Sequence, residues 1–134
     1  MFRQLMATLT IASCCITPAE AACDEAQNQQ EINQCAYAEF EAADAELNKA
    51  YKQLRAAIEP DHENALRAAQ RAWVTLRDAE CEFESMGWEG GSGRAMIQSA
   101  CLKRMTEERS ARLKVFLTCN PESYEGDVEC PPKR

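Results

Sequence analysis

Apolar residues recur in steps of three and four through most of this chain, in three separate runs. Over residues 28–58 they fall at Ile32, Ala36, Phe40, Ala43, Leu47, Tyr51, Leu54 and Ile58. Over 62–83 they fall at Leu66, Ala69, Trp73, Leu76 and Phe83, and over 94–117 at Ile97, Cys101, Met105, Leu113 and Phe116. That period matches one face of an α-helix, and no stretch shows the alternation of a half-buried strand. Pro60 ends the first run, with Asp61 placed to cap the second. "MGWEGGSG" ends the second, because four glycines in eight residues cost a helix too much conformational entropy. Ser92 is the expected cap of the third, and Arg109, Arg112 and Lys114 suit the negative pole at its end. The prediction is all-α: an antiparallel three-helix bundle with a non-helical tail, "TCNPESYEGDVECPPKR".

The first 21 residues stand apart from this pattern. One early arginine, an apolar run from Leu5 to Ile16, Pro18, and the small-x-small triplet Ala19-Glu20-Ala21 read as an export signal cleaved before Ala22. The run is too short to span a bilayer. Ile11-Ala12-Ser13-Cys14 loosely resembles a lipobox, which would lipidate Cys14. Cysteine parity favours the first reading. Cutting before Ala22 leaves six cysteines, Cys23, Cys35, Cys81, Cys101, Cys119 and Cys130, an even set suited to three disulfides outside the cytoplasm. The expected mature protein is therefore periplasmic or secreted, with a helical domain over 22–117 and a tail over 118–134.

Six cysteines allow about fifteen connectivities. Sequential pairing is the expectation, since the Gly-rich turn would fold Cys101 back toward Cys81, while Cys119 and Cys130 bracket the tail. Metal or redox chemistry lacks its spacing: there is no CxxC, and His62 is the only histidine. His62 sits beside Asp61 after a proline, so an exposed first-turn position is expected for it. No cofactor is implied.

The chain carries 15 basic and 22 acidic side chains, a net charge of −7, which argues against nucleic acid and toward basic partners. Within the tail, Glu122, Glu125, Asp127 and Glu129 lie between two cysteines without an intervening basic residue. A clamped acidic loop of this kind, and the aromatic Trp88 in the Gly-rich turn, are the candidate partner-binding elements.

"AQRAWVTLRDAEC", residues 69–81, concentrates the remaining unusual chemistry. Gln70, Trp73 and Arg77 share one helical face, which Glu80 and Cys81 continue. A part-buried guanidinium beside a tryptophan requires an acceptor. Asp44, with Asn48 and Tyr51 at helical spacing beside the first stripe, is the expected partner across the interface. Asp78 points about 100 degrees from Arg77 and is not expected to pair with it. With no nucleophile or base nearby, Asp44, Asn48, Gln70, Trp73 and Arg77 are expected to form a structural clasp.

"EINQCA", "ADAELNKAYKQL", "AQRAWVTLRDAEC", "GGS" and "CLKRMTEERSARLKVFL", in that order, resemble the lysozyme inhibitor LprI N-terminal domain family. The resemblance spans Cys23 to Leu117 and is carried most specifically by Asp44-x-x-Leu47-Asn48, Gln70-x-x-Trp73 and Arg77-Asp78-x-x-Cys81. It implies a small, exported, disulfide-bonded helical domain of bacteria and, from the family's named member, inhibition of lysozyme by binding. The tail from Thr118 lies outside the match. Two other classes are compatible with the residues: an envelope interaction or stress protein with another partner, and a cell-wall enzyme. The enzyme would need a carboxylate pair with one raised pKa, and no such constellation is evident. Oligomeric state is left open by the sequence.

Overall fold

The structure is a computed structural model that describes residues 23, 25–119, 130, 131 and 133. The expected export segment with its expected cleavage position, and the carboxylates of Glu122, Glu125, Asp127 and Glu129, lie outside the described residues. Three helices form: α1 (Gln29–Ala57), α2 (Pro60–Ser85) and α3 (Arg94–Thr118), with a 3-10 turn at Met86–Trp88 between the last two. Among the described residues there is no strand, only an isolated antiparallel bridge between Ile58 and Lys133.

The helix starts follow local chemistry, though not always as expected. The Asn28 side chain accepts from the Glu31 backbone N–H at 3.0 Å, and the Glu31 carboxylate reaches back to the Gln27 N–H at 2.7 Å. Together they satisfy donors that the first turn of α1 leaves unpaired. Asp61 does not cap α2. Pro60 is already inside the first turn, where its missing N–H costs nothing, and Asp61 and Glu63 follow it. Nor does Ser92 cap α3. Gly93 occupies that position, and the Ser92 carbonyl instead accepts from Asn33 of α1 at 2.9 Å. Gly90 has φ +77°, a left-handed conformation that lets the turn reverse without steric penalty.

Cross-helix pairs fix the topology. Asn33 meets Ser92, Glu39 meets Lys103 at 2.9 Å and Glu46 meets Lys114 at 3.7 Å, so α1 and α3 run parallel. Arg55 binds Glu63 while Asp44 meets Arg77, so α2 runs antiparallel to α1. The bundle is up-down-up, and α3 lies along α1 and against α2.

Two apolar clusters fill it. Leu47, Ala50, Leu54, Ile58 and Leu113 form one, while Cys81, Cys101 and Met105 form the other, and Trp73 packs against both. The buried inner face of α3 also includes Ser99, Thr106 and Ser110. The stripe expected on α2 needs correction: Leu76 is 56% exposed, Phe83 is 73% exposed, and Ala69 also faces solvent. The inner face of α2 is instead Leu66, Gln70, Trp73, Arg77, Cys81 and Ser85, with Glu80 left outside. Its polar members conceal it from a reading of hydrophobicity alone.

The cysteines pair sequentially. Cys23–Cys35, Cys81–Cys101 and Cys119–Cys130 have Cα separations of 5.4, 5.5 and 5.8 Å, all normal for disulfides. The first holds the lead-in to α1, the second joins α2 to α3, and the third brings the tail back to the end of α3. There Lys133 donates to the carbonyls of Leu117 at 2.8 Å and Cys119 at 2.6 Å. Lys133 thus serves the negative pole of α3, whereas Arg109 and Arg112 pack over the rings of Trp73 and Phe116.

Candidate functional site

Arg77 is 8% exposed and lies between α1, α2 and α3. Its guanidinium sits 5.3 Å from the Phe40 ring centre and 5.2 Å from that of Trp73, a cation–π arrangement on aromatics from two helices. Nη1 donates to Asp44 Oδ1 at 3.4 Å and to Thr106 Oγ1 at 3.3 Å. Asn48 donates to the other Asp44 oxygen at 2.8 Å. Asp44 therefore bridges α1 and α2.

Asp78 overturns one expectation. It accepts from Arg77 Nε at 2.9 Å and lies 2.8 Å from Nη2, closer than Asp44. The turn of about 100 degrees between neighbouring positions applies to their Cα–Cβ directions. A long arginine stem can fold along the helix surface and turn its planar fork toward the next residue's carboxylate.

Gln70 accepts from Arg109 Nε at 3.0 Å, and the Arg109 guanidinium approaches Trp73 at 5.8 Å. Burial, with Arg112 nearby, pushes the Arg109 pKa down. Phe40, Thr106 and Arg109 thus join the constellation without having been expected there. Arg109 left a trace in the sequence: the α3 stripe skips from Met105 to Leu113, and position 109 fills the gap. Thr106 left none.

An open groove of about 660 Å³ between α1 and α2 is lined by Asp44, Asn48, Tyr51, Gln70, Arg71 and Arg77, among others. Its carboxylate and buried cation already satisfy each other, so the arrangement binds two helices together. Glu63, on the rim of the bundle, has its carboxyl held below the ordinary range by hydrogen bonds from Arg55 and Arg67. A glycosidase acid requires the opposite displacement. Cys23, Cys35 and Glu39 also come close together, but the sulfurs are joined and Glu39 is paired with Lys103. His62 is exposed in the first turn of α2.

Trp88 lies at the far end of the bundle, in the 3-10 turn, and is 52% exposed. No basic residue occurs between Arg77 and Arg94, whereas Asp78, Glu80, Glu82, Glu84 and Glu89 do. Glu82 is paired with Arg94 and Glu84 with Arg104, while Glu80 and Glu89 make no ion pair among the described residues. The tip therefore offers an aromatic anchor beside uncompensated negative charge. Cys119 and Cys130, which bracket the acidic tail, lie at the opposite end, beside the Ile58–Lys133 bridge. The length of α3 separates the Trp88 turn from the Cys119–Cys130 disulfide by about 35 to 40 Å.

Comparison with known proteins gives a family and no solved structure. The family described as "Lysozyme inhibitor LprI" matches residues 19–113. The chain is 36% identical to the uncharacterized protein R02472 of Rhizobium meliloti (strain 1021), covering 81% of this chain and 91% of that one. It is 41% identical over 63 residues to the uncharacterized protein YecT of Escherichia coli (strain K12), covering 39% of each. No solved structure matches the chain.

Proposed function

The chain belongs to the lysozyme inhibitor LprI family, and we propose that it is an exported protein that binds a lysozyme and blocks it without itself turning over substrate. The observation that carries this reading is the family match across 19–113, which takes in all three helices up to the last turns of α3. Three disulfides fit an oxidising compartment outside the cytoplasm, and no helix among the described residues is long and apolar enough to cross a membrane.

Many lysozymes are basic and cleave between two carboxylates in a cleft. A chain of net charge −7 is steered toward such a surface, and an exposed aromatic beside an unpaired carboxylate suits a cleft-plugging contact. In this reading the Trp88 turn makes first contact, with Glu89 beside it. The acidic segment between Cys119 and Cys130 acts as a second, separate attractor.

The test is lysis of peptidoglycan-bearing cells by a lysozyme, with and without the oxidised protein. Inhibition at micromolar protein in low salt, weakening as salt is raised, is the expected result. Unchanged lysis under those conditions rejects the reading.

A further inference from the structure

The outer face of α2 carries a second apolar stripe that the bundle does not use. Ala69, Ala72, Leu76, Ala79, Phe83 and Met86 follow one another in strict steps of three and four, and all six are exposed. Leu76 and Phe83 stand well out into solvent, and Met86, 54% exposed, extends the line because its backbone remains in the right-handed helical region. This is the a/d spacing of a helix that packs on another helix. The inner face of α2, through Trp73, Arg77 and Cys81, already serves the chain's own core.

We propose that a second copy of this chain covers the stripe, with the two α2 helices antiparallel. Side-chain size supports that occupant. When Leu76 faces Ala79 of the second copy, Phe83 faces Ala72 and Met86 faces Ala69. Every layer then pairs one large residue with one alanine, the alternation that fills a helix–helix seam. A parallel pair would stack Phe83 on Phe83 and alanine on alanine, leaving bulges and gaps in turn.

Charge selects the same orientation. The C-terminal half of α2 carries Asp78, Glu80, Glu82 and Glu84, whereas in the N-terminal half Arg67 and Arg71 are balanced by Asp61 and Glu63. Arg71 is exposed and makes no ion pair among the described residues. The antiparallel register sets residues 78–84 against residues 71–77 of the second copy, while a parallel pair would set one acidic half against the other. A basic protein partner would suit the acidic half but would leave the alanine half, which carries no net charge, unmatched.

The seam runs about 26 Å along α2. A single helix pair of that length buries less than about 1,200 Å², the range of weak or transient interfaces, so association is expected only at high protein concentration. Sedimentation equilibrium on the oxidised protein, up to the millimolar range, tests it. The wild type is expected to shift reversibly toward twice the monomer mass. Ala72→Glu, at an exposed site outside the bundle's core, should raise Kd by about tenfold or more with an unchanged melting temperature. A wild type that stays monomeric throughout overturns the proposal. So does a dimer of unchanged affinity in Ala72→Glu, or a monomer that uses this face only to hold a basic protein.

Discussion

Arg77 of α2 reaches Asp44 of α1 at 3.4 Å, yet holds Asp78, its neighbour in the same helix, at 2.8 Å. The nearer carboxylate fixes the fork, and the farther one uses it to join two helices. Asp78 is the more exposed of the two carboxylates, so its pairing contributes little by itself. The aromatic rings of Phe40 and Trp73, with Thr106, supply what a desolvated guanidinium otherwise lacks.

Removal of Arg77 should therefore cost more than removal of either acid. Arg77→Ala is expected to destabilise the fold by about 3 kcal/mol, since it opens a cavity among three helices and strands the Asp44 side of the clasp. Asp44→Ala should cost about 1 kcal/mol, because Asp78 still neutralises the cation. Urea unfolding of the single and double variants measures both, and the cycle gives their coupling. Equal costs for Arg77→Ala and Asp44→Ala would show that the rings contribute nothing.

The three disulfides should differ in consequence. Cys81–Cys101 closes a separation of 20 residues and joins α2 to α3 inside a buried cluster. Replacing both cysteines by alanine should cost about 3 kcal/mol by releasing the unfolded chain, with a further loss from packing around Met105. Replacing Cys119 and Cys130 should leave the bundle's melting nearly unchanged while freeing Lys133 from the end of α3. Amide exchange at Cys119, together with thermal melting, separates these outcomes.

Most of the fold could be read from the sequence because two of its three helices bury what their apolar period says they bury. Leu47, Leu54 and Ile58 on α1, and Cys101, Met105 and Leu113 on α3, are core residues by position and by structure. On α2 the apolar period runs over two faces: Leu66 and Trp73 turn inward, whereas Ala69, Leu76 and Phe83 turn outward. Periodicity cannot choose between two stripes on one helix. The choice was made by Gln70, Arg77 and Ser85, polar residues whose partners lie on other helices or in the local backbone. Thr106 and Asp78 were hidden for a related reason, since their contacts depend on where a flexible arginine folds. The Trp88 turn was legible as a break, but its exposure depends on how tightly the loop packs.

Acid should weaken one link between α1 and α2. Hydrogen bonds from Arg55 and Arg67 hold the Glu63 carboxyl below its ordinary value of 4.5. A carboxyl whose folded pKa is lowered contributes stability above its unfolded pKa and loses it as pH falls through the folded value. Glu63→Gln should therefore be less stable than the wild type near neutral pH, and the gap should close once the medium is acidic enough to protonate Glu63 in the folded protein. Thermal melts of both proteins across the acid range measure this. A gap that persists at the lowest pH would assign the difference to packing.

The Trp88 turn offers the sharpest separation of binding from folding. Trp88 belongs to neither apolar cluster, and its turn is closed by backbone bonds from Glu89 to Met86 and from Gly91 to Trp88. Trp88→Ala should thus leave the helices and the melting temperature nearly unchanged. If the turn anchors a lysozyme, the same substitution should weaken inhibition by about tenfold or more, as loss of a central aromatic contact does. Glu89→Lys should act differently: it removes one negative charge and adds a positive one, so it should slow association most at low salt and little at high salt. Stopped-flow binding at two ionic strengths distinguishes the two effects. Full inhibition by Trp88→Ala would move the contact away from this end of the bundle and toward the segment held between Cys119 and Cys130.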